Sequence, residues 1–387
     1  MLIIKNVKPF INGEFQANKN IIVDNGIIVD IVDNISDDKC DNVIDGKNQY
    51  LVPGYIDIHT HGGYGHDVME GTLEAIKNIS DFHLENGTTT YIPTTLTADI
   101  PTTLNALANV RNFNDTTTAR RFGVHLEGPF LSKKAPGAHP PYLILEPNDE
   151  NTKWVFENKD IVSRVTVAPD ANSADTFAKK CSENGIQVSI GHDASIDDEI
   201  YKMIENGASS VTHMYNCTSR PSRRTTPHKH LGLTEVGLIE DRLICEVIAD
   251  NRHVPNKLFS MVYKLKGADK IALVSDSLAI AGREGEEMYL GSGESKQRIV
   301  VEDGVAVIKE LNTYAGSVTA IGKQVQNLHN NLGISLADCI KMATTTPCRL
   351  MNICDRGEIS KGKLADFNII DDKANIIHTI LNGKLVK

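Results

Sequence analysis

Two hydrophobic rhythms divide the chain. Over the first fifty residues, short β-branched runs (Ile3-Ile4, Ile21-Ile22-Val23, Ile27-Ile28-Val29, Val43-Ile44) are punctuated by Asn12-Gly13 and Asn25-Gly26. Asn-Gly between apolar runs signals a tight hairpin, because its two turn residues must take positive φ. The last thirty residues return to this rhythm, with Asp366-Phe367-Asn368-Ile369-Ile370, then Ile376-Ile377-His378-Thr379-Ile380, then Asn382-Gly383. Two strand-rich ends predict one small β-sandwich domain built from both termini, residues 1–52 plus 356–387.

The middle, residues 53–355, alternates short apolar runs with longer amphipathic stretches. The runs are Tyr55–Ile58, Thr88–Ile92, Phe122–Leu126, Arg164–Val167, Gln187–Ile190, Ser210–His213, Leu243–Ile248 and Lys270–Val274. Helical segments such as Leu73–Glu85, Ala174–Asn184, Ile196–Asn206 and Val254–Lys266 lie between them. Gly87, Gly185, Gly207 and Gly267 follow these segments, as left-handed helix stops should. Eight strand–helix repeats predict an α/β fold, a parallel (β/α)8 TIM-like barrel. An open doubly wound sheet would want a glycine-rich phosphate turn after its first strand, and neither GxGxxG nor GxxxxGK occurs. Residues 282–316 break the alternation with Gly-rich turns and a strand at Gln297–Val301, which predicts an inserted hairpin near 282–312.

Composition narrows the function classes. The chain has 387 residues, 41% hydrophobic and 23% charged, which excludes disordered and collagen-like classes. Its 40 basic and 50 acidic residues give a formal charge of −10, so no nucleic-acid partner is expected, although a local basic pocket remains open. No stretch approaches the roughly 20 apolar residues of a bilayer span, so no membrane partner is expected either. The start, Met1-Leu2-Ile3-Ile4-Lys5-Asn6, carries no signal-peptide pattern. Seven cysteines (40, 181, 217, 245, 339, 348 and 354) are scattered without a CxxC pair, which suits reduced thiols in a cytoplasmic protein.

In a barrel enzyme the chemistry sits at the C-terminal strand ends, and there the polar residues collect. The first run ends in Asp57-Ile58-His59-Thr60-His61, the third in His125-Leu126-Glu127-Gly128-Pro129, and the fifth in Gly191-His192-Asp193. The sixth ends in Thr212-His213-Met214-Tyr215-Asn216 and the eighth in Ser275-Asp276. Each has a modest alternative. His59 and His61, two apart, face the same way on a strand, but could be a surface pair in a turn. Glu127 must be paired or ligating if buried, and Lys133 could be its partner. His192 and His213 could be satisfied core histidines, and Asp276 could cap a helix. Five strand ends carrying His, Glu, His, His and Asp together point to a shared divalent metal.

Other groups face the same mouth. His139, in Gly137-Ala138-His139-Pro140, could reach a substrate carbonyl, and His253 follows the seventh run. His125 is read as structural, and His66, His83, His329 and His378 as surface or packing residues. The stretch Ser219–His230 carries Arg220, Arg223, Arg224 and Lys229 in an otherwise acidic chain. It is either an anion-binding loop, for a phosphate for example, or a solvated one.

With Pro53-Gly54-Tyr55-Ile56-Asp57-Ile58-His59-Thr60-His61-Gly62, His125–Phe130, Gly137–Pro140, Thr212–Asn216, Ala249-Asp250 with His253, Val274-Ser275-Asp276 and Ala315-Gly316-Ser317 in view, the chain resembles the N-acetylglucosamine-6-phosphate deacetylases of the amidohydrolase superfamily. The likeness runs nearly end to end. It implies a barrel of the amidohydrolase type whose main divalent metal is held by Glu127, His192 and His213, with His59 and His61 holding a second ion in members that bind two. It implies Asp276 as the acid/base and His139 as the group polarising the acetyl carbonyl. Ala138, Asn216, Cys217, His253 and Ala315 would face the sugar phosphate, with Lys229 or Arg224 supplying positive charge. The implied cofactor is one or two ions of Zn, Fe, Mn or Co, the implied partner a phosphorylated amino sugar, and the implied assembly a homodimer. Three stretches depart from the family pattern: Asp193-Ala194-Ser195, Cys217-Thr218, and the 219–230 loop, about five residues longer before Lys229. Metal-dependent hydrolysis of N-acetylglucosamine 6-phosphate is the activity implied. A deacetylase for another N-acyl amino sugar, such as the galactosamine isomer, and an inactive scaffold are the alternatives.

Overall fold

The computed structural model describes residues 1–35, 42–224, 227–283, 285–291 and 296–386. Cys40, Thr225 and Thr226 lie outside these. Eight parallel strands follow one another around a barrel: β1 (Tyr55–Thr60), β2 (Thr88–Thr95), β3 (Val124–Glu127), β4 (Val162–Val167), β5 (Gln187–Ile190), β6 (Ala208–Val211), β7 (Ile244–Val247) and β8 (Ile271–Leu273). Each pairs with the next in chain order. The last gap is bridged beyond the strand ends, where Asp276 N–H donates to the His59 carbonyl and His61 and Gly62 N–H donate to the Ser277 carbonyl, each at 2.9 Å. The predicted eight-strand α/β barrel is therefore present.

Helices α1 (Leu73–Glu85), α2 (Ile100–Asn112), α3 (Asp149–Glu157), α4 (Ala174–Glu183), α5 (Asp197–Glu205), α6 (Leu233–Ile239), α7 (Asn256–Lys266) and α8 (Ile321–Leu332) alternate with the strands. Each turns its apolar stripe inward, as with Phe177, Ala178 and Cys181 of α4 and Val325 and Leu328 of α8. The strands are buried on both faces, so they read as continuous apolar runs rather than alternating ones.

Both chain ends build a second, strand-rich sheet. Strands Leu2–Ile11, Lys19–Asp24, Ile27–Val32 and Tyr50–Pro53 join Phe367–Ile370, Ile376–Leu381 and Lys384–Leu385. The N- and C-terminal parts meet where Phe367–Ile370 runs antiparallel to Tyr50–Pro53. Its halves pack around Leu2, Ile4, Ile21, Val23, Leu51, Phe367 and Ile380. The insertion differs from the expected hairpin. It is a four-stranded antiparallel sheet of Met288–Leu290, Gln297–Glu302, Val305–Ile308 and Thr313–Gly316. Its outer strands are short and half-exposed, so they lack the apolar alternation that marks a strand in sequence.

Candidate metal centre and substrate cavity

The strand ends converge. Glu127 closes β3 and is buried. Its Oε1 lies 2.8 Å from Nε2 of His213 and 3.3 Å from Nε2 of His192. Its Oε2 lies 3.0 Å from Nε2 of His61 and 3.4 Å from Nε2 of both His59 and His139. One carboxylate thus faces two sets of imidazoles, one oxygen to each. Asp276 completes the His59–His61 side, with Oδ1 3.3 Å from His61 and 3.6 Å from His59. His59, His61 and Asp276 form one group able to hold an ion; His59, Glu127 and His213, and Glu127, His139 and His192, form two more.

The backbone bends to achieve this. His192, His213 and Asp276 take φ of 49°, 23° and 48°, directly after β5, β6 and β8. Left-handed conformation in residues with a Cβ costs on the order of 1–3 kcal/mol each and persists only where the surroundings impose it. Three such residues on one centre mark the spot at which the fold accepts strain.

Ring orientation is fixed from behind. Nδ1 of His59 faces Oε2 of Glu246 at 3.4 Å, and Nδ1 of His192 faces the Ala135 carbonyl at 3.1 Å. Holding the Nδ1 proton outward leaves the Nε2 lone pair pointing at the centre, the arrangement of metal-ligating histidines. Glu246 is paired in turn with Arg164, and both are wholly buried. Arg164 also donates to Gln187 Oε1 at 2.8 Å and to the Ile58 carbonyl at 3.1 Å.

Electrostatics favour a cation here. Burial opposes charge on His61, but the carboxylates of Asp276 and Glu127 outweigh it and raise its pKa to about 10. Burial likewise opposes ionisation of Glu127, yet His59 and the other imidazoles hold it well below the usual carboxylate range. Two carboxylates among inward-facing imidazoles, with outer ring nitrogens fixed on two of them, fit a hydrolytic divalent ion.

His139 is built differently. The Thr97 N–H donates to its Nδ1 at 3.2 Å, so the proton of the neutral ring sits on Nε2, facing the centre. Burial lowers its pKa to about 4, which keeps it a neutral donor. His125, by contrast, has both ring nitrogens on hydroxyls, Thr94 at 3.3 Å and Thr166 at 2.7 Å, and is a satisfied core histidine.

Above the centre opens a cavity of about 220 Å³. His61, Glu127, His192, His213, Asp276, His139, Ala138, Asn216, Cys217, His253 and Ala315 all line it; His59 lies deeper, beside Glu127. Asp250 orients His253, its Oδ2 2.7 Å from Nδ1. Gly137 is required at this wall: its φ is +57°, and a Cβ there would stand 2.8 Å from Cys217 Sγ. Arg224 and Lys229 do not line the cavity. Arg224 instead donates to the Ala194 carbonyl at 2.6 Å and pairs with Glu199 at 3.3 Å, while Lys229 is exposed. Sequence reasoning missed Tyr314, whose ring lies 5.1 Å from His253, and Leu290, Leu278 and Leu96, which supply apolar wall. It also missed Glu246, although a lone carboxylate inside the apolar run Leu243–Ile248 was a usable signal.

A parallel barrel whose strand ends gather His, Glu and Asp ligands under a small cavity defines a metal-dependent hydrolase. The chain belongs to the amidohydrolase family, whose sequence profile matches residues 50–386. It is 28% identical over 387 residues to an N-acetylglucosamine-6-phosphate deacetylase of Lysinibacillus sphaericus, covering 99% of this chain and 97% of the relative. It is also 28% identical over 396 residues to an N-acetylgalactosamine-6-phosphate deacetylase of Shewanella sp. (strain ANA-3), covering 100% and 96%. Among solved structures it is similar to the N-acetylglucosamine-6-phosphate deacetylase of Thermotoga maritima, with a TM-score of 0.87, 27% identity and coverage of 100% and 99%.

Proposed function

We propose that this chain removes the acetyl group from N-acetylglucosamine 6-phosphate, releasing glucosamine 6-phosphate and acetate. The observation that carries the reading is that Glu127 Oε2 lies within 3.4 Å of both His139 and His61, the imidazole that Asp276 approaches at 3.3 Å, all four lining one cavity. A bound divalent ion, Zn, Fe, Mn or Co, would supply water acidic enough to yield hydroxide near neutral pH. Glu127, His192 and His213 are the residues to hold it, and His59 with His61 suit a second. Asp276 takes a proton from the attacking water. His139 donates its Nε2–H to the acyl oxygen as negative charge develops there. Asp276 then returns the proton to the amine nitrogen as the C–N bond breaks, since an amide nitrogen leaves only once protonated.

The cavity wall and the basic stretch that follows it support a phosphorylated sugar: Asn216 and Cys217 line the cavity, and Arg220 and Arg223 come within six residues of Cys217. We divide the chain into a terminal domain of 1–52 plus 356–387 and a barrel of 53–355, and we propose a homodimer, which the exposed Ile239, Met261 and Leu265 on α6 and α7 support. The free thiols among the described residues support a cytoplasmic setting. Among the described residues no helix is long and apolar enough to cross a membrane. A galactosamine epimer is the second reading, because the relative acting on that sugar is equally similar at 28%.

The test is acetate release from a panel of N-acetyl sugars, both epimers, with and without the 6-phosphate. Preference for N-acetylglucosamine 6-phosphate is expected. Preference for the galactosamine ester selects the second reading, and turnover of unphosphorylated sugars alone overturns both.

A further inference from the structure

The segment after His192 and the foot of the basic loop touch each other. Asp193, directly after His192, is 2% exposed, and its carboxylate accepts from four donors. The Ser219 N–H and Oγ–H donate at 2.8 and 2.7 Å, the Ser195 N–H donates at 3.1 Å, and the Ser195 hydroxyl also donates. None of these bonds goes to a histidine of the centre. The Asp193 N–H donates to the Cys217 carbonyl at 3.0 Å, holding Cys217, with φ 49°, at the cavity wall.

Ser219 is the foot of the basic arm. Its Oγ accepts from the Leu233 N–H at 2.8 Å and its carbonyl from the Thr234 N–H at 3.1 Å, so the arm's entrance is tied to its exit at the start of α6. A Cβ on Gly232 would stand 2.5 Å from the Ser219 carbonyl, so the two ends press together. Higher up, Ser222 and His230 exchange backbone hydrogen bonds at 3.1 and 2.9 Å. Arg224 returns to the Ala194 carbonyl, beside Asp193. The described residues of the arm and the segment Asp193–Ser195 are thus one bonded unit. Ser219 and Ser195 between them satisfy the buried carboxylate oxygens of Asp193.

We propose that Asp193 is a positioning residue for substrate affinity: its carboxylate clamps Ser219, and so fixes the course of the chain from Asn216 and Cys217, on the cavity wall, to the start of α6, where that wall receives the phosphate end of the substrate. The inference rests on the phosphorylated-sugar reading above. Because the clamp does not touch the acid/base or the carbonyl donor, its loss acts on binding and not on the chemical step.

The experiment is steady-state kinetics of Asp193→Asn and Ser219→Ala on N-acetylglucosamine 6-phosphate and on N-acetylglucosamine, with metal content measured alongside. The expected result is a KM at least tenfold higher for the phosphorylated sugar, with kcat within twofold, metal content unchanged, and no comparable change for the unphosphorylated sugar. Should Asp193→Asn fail to fold, Ser219→Ala decides, since it removes only the hydroxyl bonds to Asp193 and to the Leu233 N–H. A wild type that hydrolyses no phosphorylated sugar overturns the proposed function and this inference with it. A wild type that does, with variant KM unchanged or shifted equally for both sugars, overturns this inference alone.

Discussion

Oε2 of Glu246, at the heart of the barrel, lies 3.4 Å from Nδ1 of His59. Neither residue is exposed, and Arg164 balances the carboxylate from the other side. A buried charge without partners costs several kcal/mol, so a Glu–Arg pair inside the barrel survives because every member is bonded. One consequence is that the ring of His59 is held with Nε2 toward Glu127, whereas Nδ1 of His61 and of His213 has no hydrogen-bond partner among the described residues.

Glu246→Gln keeps the volume and removes the charge behind His59. Loss of an outer-shell partner weakens metal affinity by about 10–100-fold, and leaving Arg164 buried without its carboxylate costs about 3–5 kcal/mol of stability. Chelator competition reads the first effect and urea unfolding the second. Affinity equal to wild type would show that Glu246 does not hold His59.

Asp276→Asn separates proton transfer from metal binding. Glu127, His192 and His213 are intact in this variant, so metal held by them is retained, while kcat falls by about 10²–10⁴-fold with the loss of acid/base catalysis. Metal analysis beside acetate release measures both. A variant as active as wild type removes Asp276 from the chemistry.

A pH effect on stability comes from His83. It is wholly buried, stacked on Tyr91 at 4.8 Å and bonded to the Thr60 hydroxyl at 3.0 Å. Burial lowers its pKa to about 3. Between pH 6.5 and 3 the unfolded chain binds a proton that the folded one refuses, so this residue lowers stability as pH falls through that window. Asp57, whose Oδ2 is 3.8 Å away, acts oppositely: burial raises its pKa to about 6, so the folded state keeps a proton between pH 3.8 and 6 that the unfolded state loses. Comparing His83→Gln with wild type isolates the histidine. The variant loses less stability on acidification from pH 6.5 to 4.5, by up to about 1.4 kcal/mol per pH unit. Parallel curves in urea unfolding at each pH would contradict this.

The sequence carried the barrel because fully buried parallel strands have a composition of their own, and because Asn12-Gly13 and Asn25-Gly26 mark turns chemically. The centre was legible for a related reason: His59, Glu127, His192, His213 and Asp276 each stand at the end of an apolar run, where a polar residue is conspicuous. The cavity wall was less legible. Tyr314 lies on a short half-exposed strand without periodicity, and Leu290 reaches the cavity only through the pairing of Met288–Leu290 with Gln297–Ile299. The basic arm shows the limit of charge counting, since Arg224 spends its guanidinium on Ala194 and Glu199. Which cation in a loop is free depends on long-range folding that composition does not encode.

Crystals of the purified, metal-loaded protein, measured at the absorption edge of its metal, offer the most direct test of a shared ion. Strong anomalous density is predicted between Glu127 Oε1, His192 Nε2 and His213 Nε2, at roughly 2.0–2.2 Å from each ligand atom. Anomalous density elsewhere in the molecule, with these three side chains bonded only to one another, would contradict the account.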